Sequence, residues 1–405
     1  MSQPFPPTLA AAQQRLAAVL PADYARTRQA ITGAVSRLSP YLTHGMLDLP
    51  AVWDSATAQQ ALPPQHKFRF ELGWRAYFRH VWSHRGDGIL QSLHAGPLPD
   101  EAYARTVPAD VRLGATGVPV VDQAVRTLYD TGWLHNHARL WLASYLVHVR
   151  KVHWRTGADW LQTLLLDGDL ASNHLSWQWV AGTGSHQPYL FNAENVARHA
   201  PAAWHSPGSV LDTNYEALSQ RARSTDPPAP TRPAVPTIPL RHDTRATAAV
   251  LTEPTVLATP PAEQGLQAPD AAAVAGRDVW LVHPWNLGPL PTDLPPGTLV
   301  LGLAVAEFHQ AWPWRRARWQ FVGRRMAELA PLRWHGSATA IGQALAQARS
   351  VQTVAEPHLA AWLPQWARCR PAPALFPAVA QRCDSFSKWW SKVQPDRRAT
   401  MAEQA

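Results

Sequence analysis

The chain has 405 residues, enough for two or three domains that each bury a core without metal or disulfide support. Its formal charge of +8 favours an anionic partner such as nucleic acid, and its two cysteines, Cys369 and Cys383, lack C-x-x-C spacing, which excludes a disulfide framework and leaves two reduced thiols. No run of about 18 apolar residues occurs, which argues against a membrane span, and the N-terminus lacks the basic region of a secretory signal, so the expected location is the cytoplasm.

From the N-terminus to about residue 223 the periodicity is helical. "TLAAAQQRLAAVL" places apolar residues at i, i+3, i+4 and i+7, "HKFRFELGWRAYFRHVWSH" does so with aromatics, and "PVVDQAVRTLYDTGWLHNHARLWLASYLVHVRKVHW" supplies two helices broken at Thr131-Gly132. Residues 224–275 are rich in Pro, Ala and Thr and poor in aromatics, and read as a flexible linker. In residues 276–393, "DVWLVHP", "GTLVLGLAV" and "VQTVAE" read as short buried strands alternating with helices such as "RRARWQFVGRRMAELA". That alternation predicts a parallel sheet with covering helices. The expected fold class is α followed by α/β: a mainly helical domain over 1–223, then a smaller Rossmann-like domain over 276–393, with 394–405 as a tail.

One stretch gathers unusual chemistry: "LLLDGDLASNHLSWQWVAGTG", residues 164–184. Asp167 and Asp169 with His174 could hold a metal, but two carboxylates at i, i+2 form a weak ligand set. Asp169 could simply cap the helix that follows, which leaves Asn173, Trp177 and Trp179 without a purpose. A planar heteroaromatic ligand uses all of them: carboxylates accept from ring N–H and ribose hydroxyls, an amide meets a ring nitrogen, and indoles stack or pass electrons.

This segment resembles the flavin-binding core of the DNA photolyase/cryptochrome family, D-x-D-x-x-x-N…W-x-W. Three more stretches resemble that family's motifs in the same order. They are "VSRLSPYLTHG" (35–45), "ELGWRAYFRH" (71–80) and "TGVPVVDQAVRTLYDTGWLHNHAR" (116–139). The resemblance implies non-covalent FAD. Ser36, Arg37, Leu38 and Ser39 would hold its phosphates beside Tyr24, and Arg75 and Arg139 would supply positive charge near it. Asp167 and Asp169 would fix the ring edge and sugar, with Asn173 facing the ring. Trp177 and Trp154 match two members of an electron relay, with Tyr103 at the position of the outer one. Glu71, Trp74, Asn136 and Trp179 match the pocket that receives a flipped-out base, with Asn136 also touching the flavin.

That set implies a deoxyribodipyrimidine photo-lyase. Electron transfer from light-excited reduced FAD would split a cyclobutane pyrimidine dimer in UV-damaged DNA. The alternative is a blue-light sensor of the cryptochrome type that signals through a protein partner. Several positions depart from the family: Val35, Ala76, His137 and Leu140 stand where a hydroxyl residue, an acid, an arginine and a methionine are usual. The C-terminal α/β segment resembles, in diverged and reordered form, the family's usual leading domain, against the rival of an unrelated appendage. If related, it could hold a folate or deazaflavin antenna. "WPWRRARWQF" reads as a helix with one packed and one solvated face. No metal is expected, no phosphate-binding G-x-x-x-x-G-K-[ST] loop is present, and the chain is expected to be a monomer.

Overall fold

The computed structural model describes residues 4–225 and 251–394. The helical half contains five helices that frame the site: α1 (Lys67–Arg85), α2 (Pro119–Thr131), α3 (Asn136–Ser144), α4 (Trp154–Leu164) and α5 (Leu170–Ala181). Their ends have local causes. Pro119 opens α2, where its fixed φ suits the first turn. Gly132, at φ 68°, closes α2 and donates its N–H to the Leu128 carbonyl at 2.8 Å. Asp169 caps α5 by accepting from the Ser172 N–H at 2.8 Å. Helices α4 and α5 pack so closely at Gly157 that a Cβ there would lie 2.3 Å from the Trp177 ring.

The C-terminal half carries a five-stranded sheet: β1 (Asp278–Val282), β2 (Leu299–Val305), β3 (Leu332–Gly336), β4 (Ser350–Val354) and β5 (Arg368–Arg370). All pairings are parallel and the spatial order is 3-2-1-4-5, so the sheet is doubly wound with its order reversing between β1 and β4. Central β1 and β2 are near-continuous apolar runs because both faces are covered. Helix α6 (Arg316–Leu329) lies so close over β2 that a Cβ at Gly302 would meet Met326 Sδ at 2.7 Å. The fold is thus a helical domain plus an α/β domain, as expected. Strands β3 and β5 escaped the sequence reading because, at the edges, they are short and half-exposed and carry Arg333, Arg368 and Arg370.

Two expectations are corrected. The linker was placed at 224–275. Its stretch 226–250 lies outside the described residues, but 251–275 is built into the fold. Val256–Leu257 pairs antiparallel with Trp314–Arg315, and Glu253 accepts from Arg112 and Trp160, each at 3.0 Å. Partners distant in sequence supply what the local composition lacks. Of the three arginines in "WPWRRARWQF", expected on a solvated face, only Arg316 is exposed, while Arg315 is 7% and Arg318 0% exposed. Both stay buried because their guanidinium groups serve backbone carbonyls. Arg315 donates to Leu128 and Tyr129 O, each at 2.8 Å, satisfying C-terminal carbonyls of α2 where a cation is favourable. Residues of the expected tail from 395 onward also lie outside the described residues.

One apolar core is assembled from both halves, joining Leu38, Tyr41 and Phe68 to Trp285, Trp314 and Phe386; a second lies within the helical half under α2, α3 and α4. Helix α7 (Phe386–Val393) crosses back onto α1. Phe386 stacks on Trp74 at 4.0 Å and 14°, and Trp390 fills the space over Gly73. Among the described residues no helix is long and apolar enough to cross a membrane.

Candidate cofactor and substrate site

A cavity of about 510 Å³ opens between α1, α3, α5 and the loop before residue 40. Fifteen of the sequence-predicted site residues line it: Tyr24, the four residues 36–39, Glu71, Trp74, Arg75, Asn136, Arg139, Asp167, Asp169, Asn173, Trp177 and Trp179. Its volume falls in the range of roughly 300–1,000 Å³ common for cofactor and small-molecule sites.

The inner wall is charged. Arg139 Nη2 donates to Asp167 Oδ2 at 2.7 Å, while Asp167 Oδ1 is buried with no partner among the described residues. A buried carboxylate oxygen left without a donor is costly, so this atom asks for an N–H or O–H from a ligand. Asp169, fully buried, pairs with Arg79. Burial pushes its carboxyl up, but Arg79 and Arg75 more than offset this and hold it well below the usual carboxylate range. The capping reading of Asp169 and the ligand reading therefore describe the same side chain. Burial lowers Arg75, whose Nη2 donates to Thr43 Oγ1 at 3.1 Å. Asn173 donates from Nδ2 to the Ala158 carbonyl at 2.8 Å, which fixes its orientation on the cavity wall.

At one end lies the loop 36–39. Arg37 takes φ 51°, in the left-handed region that a non-glycine residue rarely adopts, and Leu38 follows at φ −85°, ψ −11°. Alternating hands turn successive N–H groups to the same side, the geometry of an anion-binding nest. Among the described residues the N–H groups of 36–39 donate to no other group of the protein. Trp133 steadies this loop, with its indole N–H on Ser39 Oγ at 3.0 Å and its ring 5.2 Å from the Arg37 guanidinium. Burial, then the Glu71 charge, keeps the Tyr24 hydroxyl above its ordinary range and so neutral.

The mouth is aromatic. Trp179 is 39% exposed, an unusual position for an indole, and lies 5.4 Å from the Tyr189 ring. Trp74 also lines the cavity, with one face covered by Phe386. Asn136 is exposed at the first turn of α3. Glu71 accepts from Lys67 at 2.9 Å and Arg28 at 3.3 Å.

Trp154 and Tyr103 do not line the cavity. Trp154 is buried with its indole N–H on Ser92 Oγ at 2.9 Å, and no ring contact joins it to Trp177. Tyr103 reaches it only through His153, at 6.2 and then 5.7 Å between ring centres. Three participants were missed: Arg28, Trp133 and Arg79. Arg79 could have been found, since it stands four residues after Arg75 on the same helix face.

A nest of free N–H groups at one end, a charged inner wall and an aromatic mouth define a class of protein: one that holds an extended, phosphate-bearing, planar cofactor beside an aromatic-walled substrate site. Residues 68–202 match the family model described as the FAD binding domain of DNA photolyase. The deoxyribodipyrimidine photo-lyase of Streptomyces griseus is 37% identical over 170 residues, 40% of this chain and 36% of that protein. That of Escherichia coli is 32% identical over 177 residues, 40% and 37%. The cryptochrome DASH of Gloeobacter violaceus is 32% identical over 172 residues, 40% and 34%. The solved cryptochrome of Synechocystis aligns at 28% identity over 47% of this chain and 43% of that one, with a TM-score of 0.42. Through its helical half the chain is thus similar to the FAD-binding domain of the photolyase/cryptochrome proteins. The chain spans little more than a third of the length of the curated relatives it matches.

Proposed function

We propose that this protein is a light-dependent DNA repair enzyme that uses reduced FAD to split cyclobutane pyrimidine dimers in DNA, acting in the cytoplasm. The observation that carries this reading is the single cavity joining the charged inner wall to the aromatic mouth, so a cofactor and a flipped-out base would meet inside it.

The residues present fit the group. The nest at 36–39 would take the phosphates, the unpartnered Asp167 Oδ1 would accept from the cofactor's ring edge or sugar, and Arg75 and Arg139 would lie near it. When bound, reduced and excited by light, FAD supplies the electron that opens the cyclobutane ring and is recovered afterwards. The chain's own groups do the rest. Trp179 and the open face of Trp74 would wall the dimer. Asn136 would donate to its carbonyls and Glu71 accept from its ring N–H groups, while Lys67 and Arg28 hold that carboxylate in place. Arg75 and Arg139 favour negative charge on their neighbour, which would keep a bound flavin in the reduced form the reaction needs.

The names of the photo-lyase relatives support repair, whereas the cryptochrome DASH relative supports a blue-light sensor as the second reading. A repair assay separates them. Photoreduced protein under blue light should restore dimer-containing oligonucleotides, and darkness should abolish the reaction. Flavin photoreduction with no loss of dimers would favour the sensor.

A further inference from the structure

In doubly wound sheets a ligand ordinarily binds outside the carboxyl ends of the strands where the order reverses, here between β1 and β4. In this chain protein side chains fill that place. Trp285, just beyond β1, and His358, just beyond β4, stack at 4.4 Å and 10°, and Trp82 of α1 packs edge-on against the same imidazole at 4.8 Å. The crevice is closed by the helical half.

What the crevice holds is a chain of charges leading to the cofactor cavity. Arg79 donates to both Asp169 and Glu356, the latter at 2.7 Å. Burial would raise Glu356, but Arg79 and then His358 hold it down to about 2. The Leu170 N–H donates to His358 Nε2 at 3.3 Å, so that nitrogen carries no proton and the neutral ring donates from Nδ1 to Glu356 at 2.5 Å. Burial favours the same neutral form. The loop 166–170, which presents Asp167 and Asp169 to the cavity, is tied at several further points. Arg318 Nη2 donates to Gly168 O at 2.6 Å, Thr43 donates to Asp167 O at 3.2 Å, and the Leu166 N–H donates to Gly132 O at 2.8 Å. The buried imidazole of His44 lies between Leu166 O and Pro284 O, at 2.9 and 2.6 Å, and its neutral ring donates to one of them.

We propose that the α/β half is a positioning element of the flavin site, in which Glu356, with His358 and Arg318, sets the place of the Asp167–Asp169 loop and the charge of Arg79 beside it. This rests on the flavin reading above. Removing the negative charge of Glu356 leaves Arg79 less compensated, which makes electron addition to a nearby flavin easier. A merely structural contact would change stability but not the potential of the flavin that remains bound.

The test uses the full chain loaded with FAD, comparing wild type, Glu356→Gln, Glu356→Asp and His358→Phe by redox titration and FAD affinity. Glu356→Gln should raise the midpoint potential of the bound flavin, and Glu356→Asp should return it towards wild type. His358→Phe keeps the stack on Trp285 but removes both hydrogen bonds. It should weaken FAD binding several-fold, and it carries the test should Glu356→Gln fail to fold. Wild type that binds FAD, with variants matching its potential and affinity, overturns this proposal alone. Wild type that takes up no FAD overturns the flavin reading and the proposal with it.

Discussion

The cavity wall and the seam between the two halves are held by the same kinds of side chain but were unequally visible in the sequence. The wall is built from short segments whose spacing shows their purpose: Asp167, Asp169 and Asn173 fall on one turn and one helix end. The seam is built from residues far apart in the chain, Arg79 with Glu356 at 277 positions and Leu170 with His358 at 188, and no local pattern marks either member. Local periodicity reports what a segment can do; only folding reports which distant segment it serves.

Acid should break both regions, with the largest effect. Burial lowers His44 to about 3 and His135, His137 and His148 to about 4. Their folded pKa values lie below the unfolded value near 6.5, so their neutral forms support the fold above that value. The support is lost as pH falls, because the unfolded chain takes the proton first. Between pH 6.5 and 5 a group such as His148 should account for about 2 kcal/mol. The carboxylates Glu356 and Asp169 act later, losing their contribution as pH falls from about 4.5 towards 2 and below. Thermal melts at pH 7.5, 6.5, 5.5 and 5 should show a steep fall in midpoint below 6.5.

Breaking the seam alone should come next. Arg79→Met leaves Asp169 and Glu356 facing each other without their cation, side chains 0% and 9% exposed, and removing one partner of a buried pair costs roughly 3 kcal/mol. Denaturant titration should show it, along with reduced FAD uptake. An unchanged midpoint would mean the seam adds nothing.

A perturbation inside the helical half sharpens the contrast. Gly157→Ala drives a methyl into the Trp177 ring, and overpacking of about 1–3 kcal/mol outweighs the roughly 1 kcal/mol gained from better helix propensity. A lowered denaturant midpoint with a changed Trp177 fluorescence is expected. The smallest effect belongs to the far side of the sheet. Asp278→Asn breaks a surface pair with Arg349 and should leave both melting and FAD binding unchanged, serving as the control for the seam variants.

The helices and central strands were legible from residue spacing, and most of the cavity wall from the resemblance to the photolyase/cryptochrome motifs. The strands at the sheet edges were not, since "LRWHG" and "RCR" are too short and too polar to show a buried run. The segment 251–275 looked like linker because its stabilising partners, Arg112, Trp160 and the strand at Trp314–Arg315, lie far along the chain. Arg315 and Arg318 looked solvated because nothing in their neighbourhood announces the helix ends and the loop carbonyl they serve. Glu71 and Trp74 line the cavity, yet their engagement with Lys67 and Phe386 comes from packing that the motif does not encode.

The most direct measurement is a fluorescence titration of the purified full chain, stripped of cofactor, with FAD. We expect saturable one-to-one quenching of the flavin, lost in Asp167→Ala, which removes the carboxylate with the open acceptor. A chain that leaves FAD emission untouched at micromolar concentrations, or binds it equally well without Asp167, would contradict the account.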